Sequence, residues 1–175
     1  FYRTISETKI SRGKNRIGII AACVYHACKE CNVPRSTSEL AHSFDIDSKI
    51  MTKGCKNFTE IIRMSDIDKD RIQSHKSITI GDFIERFCHK LEIKNIDHIK
   101  KLCELCEKLG LSNDNTPPAM ASGCIYLYCK SLNIDKSKKN ISEVCKISEV
   151  TINKCFKKIE TNKDIQEYLL TIDKS

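Results

Sequence analysis

The sequence predicts an all-α protein made of two tandem copies of one helical unit. The first observation behind this is an internal repeat: Ala21 to Ser36, AACVYHACKECNVPRS, lies over Ser122 to Ser137, SGCIYLYCKSLNIDKS. Cys23 meets Cys124, Tyr25 meets Tyr126, Cys28 meets Cys129, Lys29 meets Lys130, Asn32 meets Asn133 and Ser36 meets Ser137, all at one offset of 101 residues. The register continues without a gap through Leu40 and Ile141, Ile46 and Ile147, Met51 and Ile152, Lys53 and Lys154, and Lys56 and Lys157. A single register held over that length marks a duplicated unit. The second observation is apolar spacing at i, i+3, i+4 and i+7 between Gly, Pro and Ser/Thr punctuation, the pattern of amphipathic helices. The third is how little strand alternation there is: Ser74 to Ile80 shows some, and reads as a polar loop.

Taken in order, the first copy spans 1–92 and the second 93–175. Ile17 to Cys28 is apolar nearly all round, which marks a central, buried helix. A short helix at Thr37 to Phe44, a tight turn and a helix starting near Asp47 follow, and Ile80 to Leu91 closes the copy. In the second copy, Asn95 to Leu109 sets Ile96, Ile99, Cys103, Cys106 and Leu109 on about one face, and Gly110 ends it. Thr116 stands as N-cap with Pro117 at the first helical position. The helix that follows, through about Leu132, is the second central helix, with small Ala121, Ser122 and Gly123 where a neighbour can approach closely. Lys139 to Cys145 is a short helix, a second tight turn leads to a helix from Ser148, and Lys163 to Ile172 closes the chain. Two short helices joined by a few residues form a helix-turn-helix, so each copy carries one. The joint between the copies falls at Glu92 to Asn95.

The helix from Ser148 to Ile159, SEVTINKCFKKI, has two distinct stripes. Ile152, Cys155, Phe156 and Ile159 form an apolar one that seats it on a core, while Val150, Asn153, Lys154 and Lys157 line up opposite at the same helical spacing. Lysines alone would be an ordinary solvated face. A valine and an amide at the head of the row fit a helix that enters a DNA major groove.

Composition sets the bounds. The 175 residues suit one ordinary domain or two small ones, and 40% hydrophobic content supplies a core. A formal charge of +7 favours polyanionic partners such as nucleic acid. There is no run of 18 apolar residues and no charged-then-apolar leader, so no membrane or secretory role is expected. The chain does not begin with Met, and Phe1-Tyr2 reads as the tail of an apolar helix, as in a piece of a longer protein. Eleven cysteines in such a chain are expected as thiols serving as small apolar residues. Cys28 with Cys31 and Cys103 with Cys106 have C-x-x-C spacing, but the pairs lie 75 positions apart on helical patterns, too far for a zinc site of the usual spacing.

GKNRIGIIAACVYHACKECNVPRS from Gly13, TIGDFIERFCHKL from Thr79 and SEVTINKCFKKI together resemble the core of eukaryotic and archaeal transcription factor IIB, over nearly the whole stretch from Gly13 to about Ile159. The resemblance implies two tandem cyclin-like five-helix repeats, each with a helix-turn-helix, the first helix of the first repeat being truncated. It implies a scaffold rather than an enzyme. The expected partners are the TATA-binding protein, double-stranded promoter DNA on both sides of the TATA element, and RNA polymerase, with the core acting as a single copy. Family members carry a zinc ribbon ahead of the core, so no cofactor is expected within this segment and zinc only in such an upstream ribbon. The site of action implied is the nucleus, or a cytoplasmic viral factory for a large-DNA-virus homologue, an origin that the richness in Ile, Lys and Asn also suits.

Residue by residue, the family inserts a Gly-Arg pair from the loop before the first central helix into the minor groove downstream; here Gly13 and Lys14 stand there, flanked by Arg12 and Arg16. Lysine lacks the flat fork that suits a narrow groove, which weakens shape readout. The family's second recognition helix reads a GC-rich element through a Val and an Arg three residues later, matched here by Val150 and Asn153. Asparagine suits adenine rather than guanine, so a changed base preference is expected. Thr151, Lys154 and Lys157 are expected on phosphates. Lys29, Arg35, Lys49, Lys53 and Lys56 are the candidate surface for the acidic edge of the TATA-binding protein.

Two other function classes fit parts of the chain less well. A cyclin that activates a kinase would need no bases on the second helix-turn-helix. A Cys-His enzyme would use His26 with Cys23 or Cys28, yet their helix reads as buried, and there is no Gly-rich phosphate loop, paired-carboxylate motif or metal box.

Overall fold

The computed structural model describes residues 1–8, 10–64 and 78–172. Among these residues there are ten helices and no strand. The chain divides into two compact units, Phe1–Ile78 and Thr79–Ser175. Residues 74–77 of the expected polar loop lie outside the described residues.

The first unit holds α1 (Tyr2–Thr8), α2 (Gly13–Glu30), α3 (Thr37–Ser43) and α4 (Ser48–Met64). One core cluster joins Ile5, Ile19, Ala22, Cys23, Phe58, Ile61 and Ile62, and a second joins Ala21, Leu40, Ala41 and Met51. The crossing of α2 and α4 is backbone against backbone. A Cβ on Gly54 would lie 2.1 Å from the Gly18 carbonyl oxygen, and a Cβ on Gly18 would lie 2.9 Å from the Ile50 carbonyl oxygen.

The second unit holds α5 (Gly81–Lys90), α6 (Ile96–Lys108), α7 (Pro117–Ser131), α8 (Lys138–Cys145), α9 (Glu149–Glu160) and α10 (Lys163–Ile172). As the apolar circumference of its sequence implies, α7 is the central helix, buried from Pro118 to Ile125 and again from Leu127 to Cys129. It packs chiefly on α9, with α5, α6 and α8 around it. Gly123 permits this, since a Cβ there would come within 2.6 Å of Cys155 Cβ on α9. Cys155 is the counterpart of Gly54 at the 101-residue offset, so the last helix of each helix-turn-helix makes its close crossing from the same position, whereas on the central helix the contact lies one turn apart, at Gly18 in one unit and at Gly123, the counterpart of Ala22, in the other.

The helix over Gly81–Lys90 corrects the expected domain boundary of 92 and 93. Read along the sequence as the close of the first copy, α5 belongs to the second unit, which begins at Thr79. Its buried Phe83, Ile84, Phe87 and Cys88 provide the apolar face that packs within this unit. Ile80 N–H donates to Glu107 Oε1 on α6 at 2.7 Å, and Lys100 on α6 pairs with Glu85. The expected joint at Glu92 to Asn95 is therefore internal, and Ile93 there is buried. Repeat register tells which positions correspond, not which neighbour an element packs against.

The repeat extends to backbone detail. Asn32 and Asn133 end α2 and α7 in the left-handed region at φ +57° and +51°. In each, the next residue closes the cap: Val33 N–H donates to the Cys28 carbonyl at 3.0 Å and Ile134 N–H to that of Cys129 at 2.8 Å. Asparagine tolerates this conformation, which explains why it recurs at this register position. Gly110 ends α6 as the sequence implies, with φ +66° and Leu111 N–H on the Cys106 carbonyl at 3.0 Å. Thr116 is the N-cap residue of α7 with Pro117 at the first position, but its side chain makes no capping bond.

Candidate nucleic-acid interface

Each helix-turn-helix is set by the same three features. Ser36 and Ser137 begin the first helix with a capping box: Glu39 N–H donates to Ser36 Oγ at 3.1 Å, and Asn140 N–H to Ser137 Oγ at 3.2 Å. The turn is made by a left-handed residue, Asp45 at φ +49° in one unit and Lys146 at φ +56° in the other. The second helix is capped by Asp47, whose Oδ1 accepts from Ile50 N–H at 2.8 Å, and by Ser148, whose Oγ accepts from Thr151 N–H at 3.2 Å. Matching caps at matching offsets fix the aim of α4 and α9.

On α9 the two stripes separate as their spacing predicts. Ile152, Cys155, Phe156 and Ile159 are buried against the unit's core. Burial pushes the Cys155 thiol above its ordinary range, with Lys154 and Lys158 pulling the other way, so it serves as an apolar group. Val150 is 81% exposed, an unusual position for a branched aliphatic side chain. Lys154 and Lys157 are exposed, and neither joins an ion pair among the described residues. Lys158, one position on, is instead held by Asp114 at 3.0 Å. Thr151 shares its hydroxyl with Ser148 Oγ at 2.8 Å and remains partly exposed.

Asn153 is half-buried and has a partner that sequence spacing did not reveal. Lys138 Nζ, from the first turn of α8, donates to Asn153 Oδ1 at 2.7 Å. The same ammonium stands 5.2 Å from the centroid of the Tyr126 ring on α7. Tyr126 in turn meets Phe156 edge-on at 5.0 Å, and Lys130 lies over the other aromatic at 4.6 Å from the Phe156 centroid. Lys138 and Asn153 are 15 positions apart, so only the angle between the two helices brings them together; the cation at the start of α8 was the available signal.

The second expected DNA set lies in the first unit. Arg12 is the N-cap residue of α2, and Gly13 sits at φ +56° with open space where a Cβ would project. Glycine is needed there for the backbone turn rather than for room. Arg12 and Lys14 are exposed, whereas Arg16 Nε donates to the Tyr2 hydroxyl at 2.9 Å and is tied to α1. Of the residues expected on a protein partner, Lys49, Lys53 and Lys56 are exposed together on α4 around a shallow depression shared with Ser48 and Thr52. Lys29, in the last turn of α2, and Arg35, in the connection to α3, are half-buried and do not line it.

Of the thiols weighed for a Cys-His enzyme, Cys23 is buried. Burial pushes the Cys23 thiol up to about 11, the opposite of what a nucleophile at neutral pH requires. The His26 ring stacks on Phe58 with centroids 4.0 Å apart. In the second unit Cys106 Sγ lies 3.8 Å from Cys124 Sγ in the buried core, and each thiol is raised above its ordinary range.

Known proteins share this pattern across the chain. The sequence profile of the transcription factor TFIIB repeat matches residues 1–63 and 73–162. A transcription initiation factor IIB-like protein of Acanthamoeba polyphaga mimivirus is 41% identical over 156 residues, covering 86% of this chain and 33% of the viral protein. Transcription initiation factor IIB of Encephalitozoon cuniculi is 28% identical over 93% of this chain and 50% of its own length, and that of Oryza sativa is 27% identical over 89% and 49%. The chain thus spans a third to a half of these relatives. With the profile covering both helical units, the chain belongs to the transcription factor IIB repeat family, whose tandem cyclin-like all-α fold its helices follow.

Proposed function

We propose that this chain is the core of a transcription initiation factor that binds the TATA-binding protein and the promoter duplex beside the TATA element, and helps to bring in RNA polymerase. The observation that carries the reading is the outward stripe of α9, where an 81% exposed valine and two lysines with no ion pair among the described residues stand on a helix whose opposite stripe is buried. Lys154 and Lys157 fit phosphates, which position a protein, while Val150 and Asn153 stand where base edges would be met. Arg12, Gly13 and Lys14 form the second DNA contact, at the start of α2. Lys49, Lys53 and Lys56 form a compact basic patch suited to an acidic protein edge, which Lys29 and Arg35 do not line. Such a factor acts by assembly, in the nucleus or in a viral factory, and the work of this segment is binding.

The test is a mobility shift on a TATA-containing duplex. The chain is expected to retain the duplex strongly only with a TATA-binding protein present. Replacing Lys154 and Lys157 by alanine is expected to weaken retention on every sequence and to flatten the plot of log affinity against log salt by up to about 0.9 for each phosphate no longer neutralised. Absence of the three-component complex at low salt sinks the proposal.

A further inference from the structure

We propose that the depression beside Cys55 on α4 is a socket for a partner protein's segment that carries an aromatic side chain and a carboxylate one helical turn apart. The template for this occupant lies within the chain. In the second unit Phe156 is 5% exposed and meets the Tyr126 ring edge-on at 5.0 Å. Lys130 covers it, with Nζ 4.6 Å from the Phe156 centroid and 3.0 Å from the Glu160 carboxylate. Phe156 and Glu160 are one turn apart on α9, so a single helix supplies both the ring and the charge.

The first unit keeps one half of this arrangement and lacks the other. At the 101-residue offset Tyr25 matches Tyr126 and Lys29 matches Lys130, whereas Cys55 stands for Phe156 and Thr59 for Glu160. Tyr25 and Cys55 still come together, packed on the same cluster of Ala21, Leu40, Ala41 and Met51. Burial pushes the Tyr25 hydroxyl above its ordinary range, and nearby Cys55 adds to this. A thiol is far smaller than a phenyl ring, and a threonine hydroxyl brings no charge to Lys29, which stands one turn after Tyr25 on α2 and joins no ion pair among the described residues. Cys55 and Thr59, the two substituted positions, both line a depression of about 600 Å³, along with Lys56, Glu60, Arg63 and Met64. Met64 is 74% exposed there, a pliable apolar side chain of the kind that packs on an incoming ring. Lys56 and Arg63 outweigh Glu60 on the rim, so its charge suits an acidic occupant. An aromatic anchor seated in a pocket is also where a few residues can carry most of a binding energy. The socket goes beyond the basic patch of Lys49, Lys53 and Lys56, which asks of its partner only charge.

The experiment is titration of the isotope-labelled full chain with an alanine-based helical peptide bearing one phenylalanine and one glutamate a turn apart, followed by amide chemical shifts. Saturable shifts centred on Tyr25, Cys55 and Thr59 are expected. Exchanging the peptide's phenylalanine for alanine is expected to weaken binding by roughly tenfold or more. Cys55→Phe fills the socket from within, as Phe156 does in the second unit, and is expected to lose the peptide by a similar factor. Thr59→Glu, at an exposed position, gives Lys29 a carboxylate of its own and is expected to make affinity indifferent to the peptide's glutamate. Helical circular dichroism checks that each variant is folded. No saturable shift, shifts centred elsewhere, equal affinity for the peptide without its ring, or undiminished binding by folded Cys55→Phe overturns the proposal. So does movement of the same amides when the chain alone is concentrated, or when promoter duplex replaces the peptide, since either assigns the depression to a different occupant. The mobility shift with a TATA-binding protein reads the DNA face of α9 separately, so the two readings fail independently.

Discussion

Gly54 shows how a single position sets the geometry of a unit. With a Cβ 2.1 Å from the Gly18 carbonyl oxygen, Gly54→Ala must push α2 and α4 apart. Overpacking of this kind costs about 1–3 kcal/mol. Gly81→Ala is the control, because its Cβ would meet only Thr79 Oγ1 at 3.7 Å, an ordinary contact. Thermal melting is expected to show Gly54→Ala well below wild type and Gly81→Ala level with it; equal melting of both would mean that the α2–α4 crossing is looser than described. Sequence periodicity made Gly123 readable as a close-approach site, since it sits among small residues in an all-apolar helix. Gly18 and Gly54 become significant only when the two helices are seen to cross. Asn153 is similar: its place on the outward stripe was legible, but its bond to Lys138 depends on an angle between helices that no spacing rule supplies.

Helices and their ends were the most legible scale. Central helices α2 and α7, the short helices α3 and α8 and the apolar stripe of α9 follow from local pattern, because each is fixed by residues within a turn or two of itself. The recurrence of Asn32 and Asn133 has its cause in the left-handed caps they form. Thiols in these helices carry a testable consequence. Burial pushes Cys23 and Cys129 up to about 11, and burial helped by neighbouring Cys129 pushes Cys88 up to about 12, from an ordinary value of 9.0. Below pH 9 these thiols are protonated whether the chain is folded or not. Above it, the unfolded chain releases protons that the folded helices retain, so stability falls as pH rises toward 11 to 12. The slope is up to about 1.4 kcal/mol per pH unit for each thiol. Urea midpoints under reducing conditions are expected to be level from pH 7 to 8.5 and to drop steeply by pH 10.5. A midpoint unchanged at pH 10.5 would show these thiols to be solvated.

For the whole molecule, the tandem repeat gave the all-α class, but a linear register could not assign α5. That helix has no counterpart within the chain at the 101-residue offset, and its allegiance is decided by where Phe83, Ile84 and Phe87 are buried. The two candidate DNA sets, at the start of α2 and on α9, fall in different units. The central claim is that the outward stripe of α9 meets DNA upstream of the TATA element. It is tested most directly by placing a photoreactive side chain at Val150 and, as a comparison, at exposed Glu104 on α6, then irradiating the assembled complex of chain, TATA-binding protein and promoter duplex. Cross-linking from position 150 to upstream DNA, dependent on the TATA-binding protein and far above that from position 104, is the predicted result. Equal labelling from both positions, or none from position 150 in a complex shown to have formed, would contradict it.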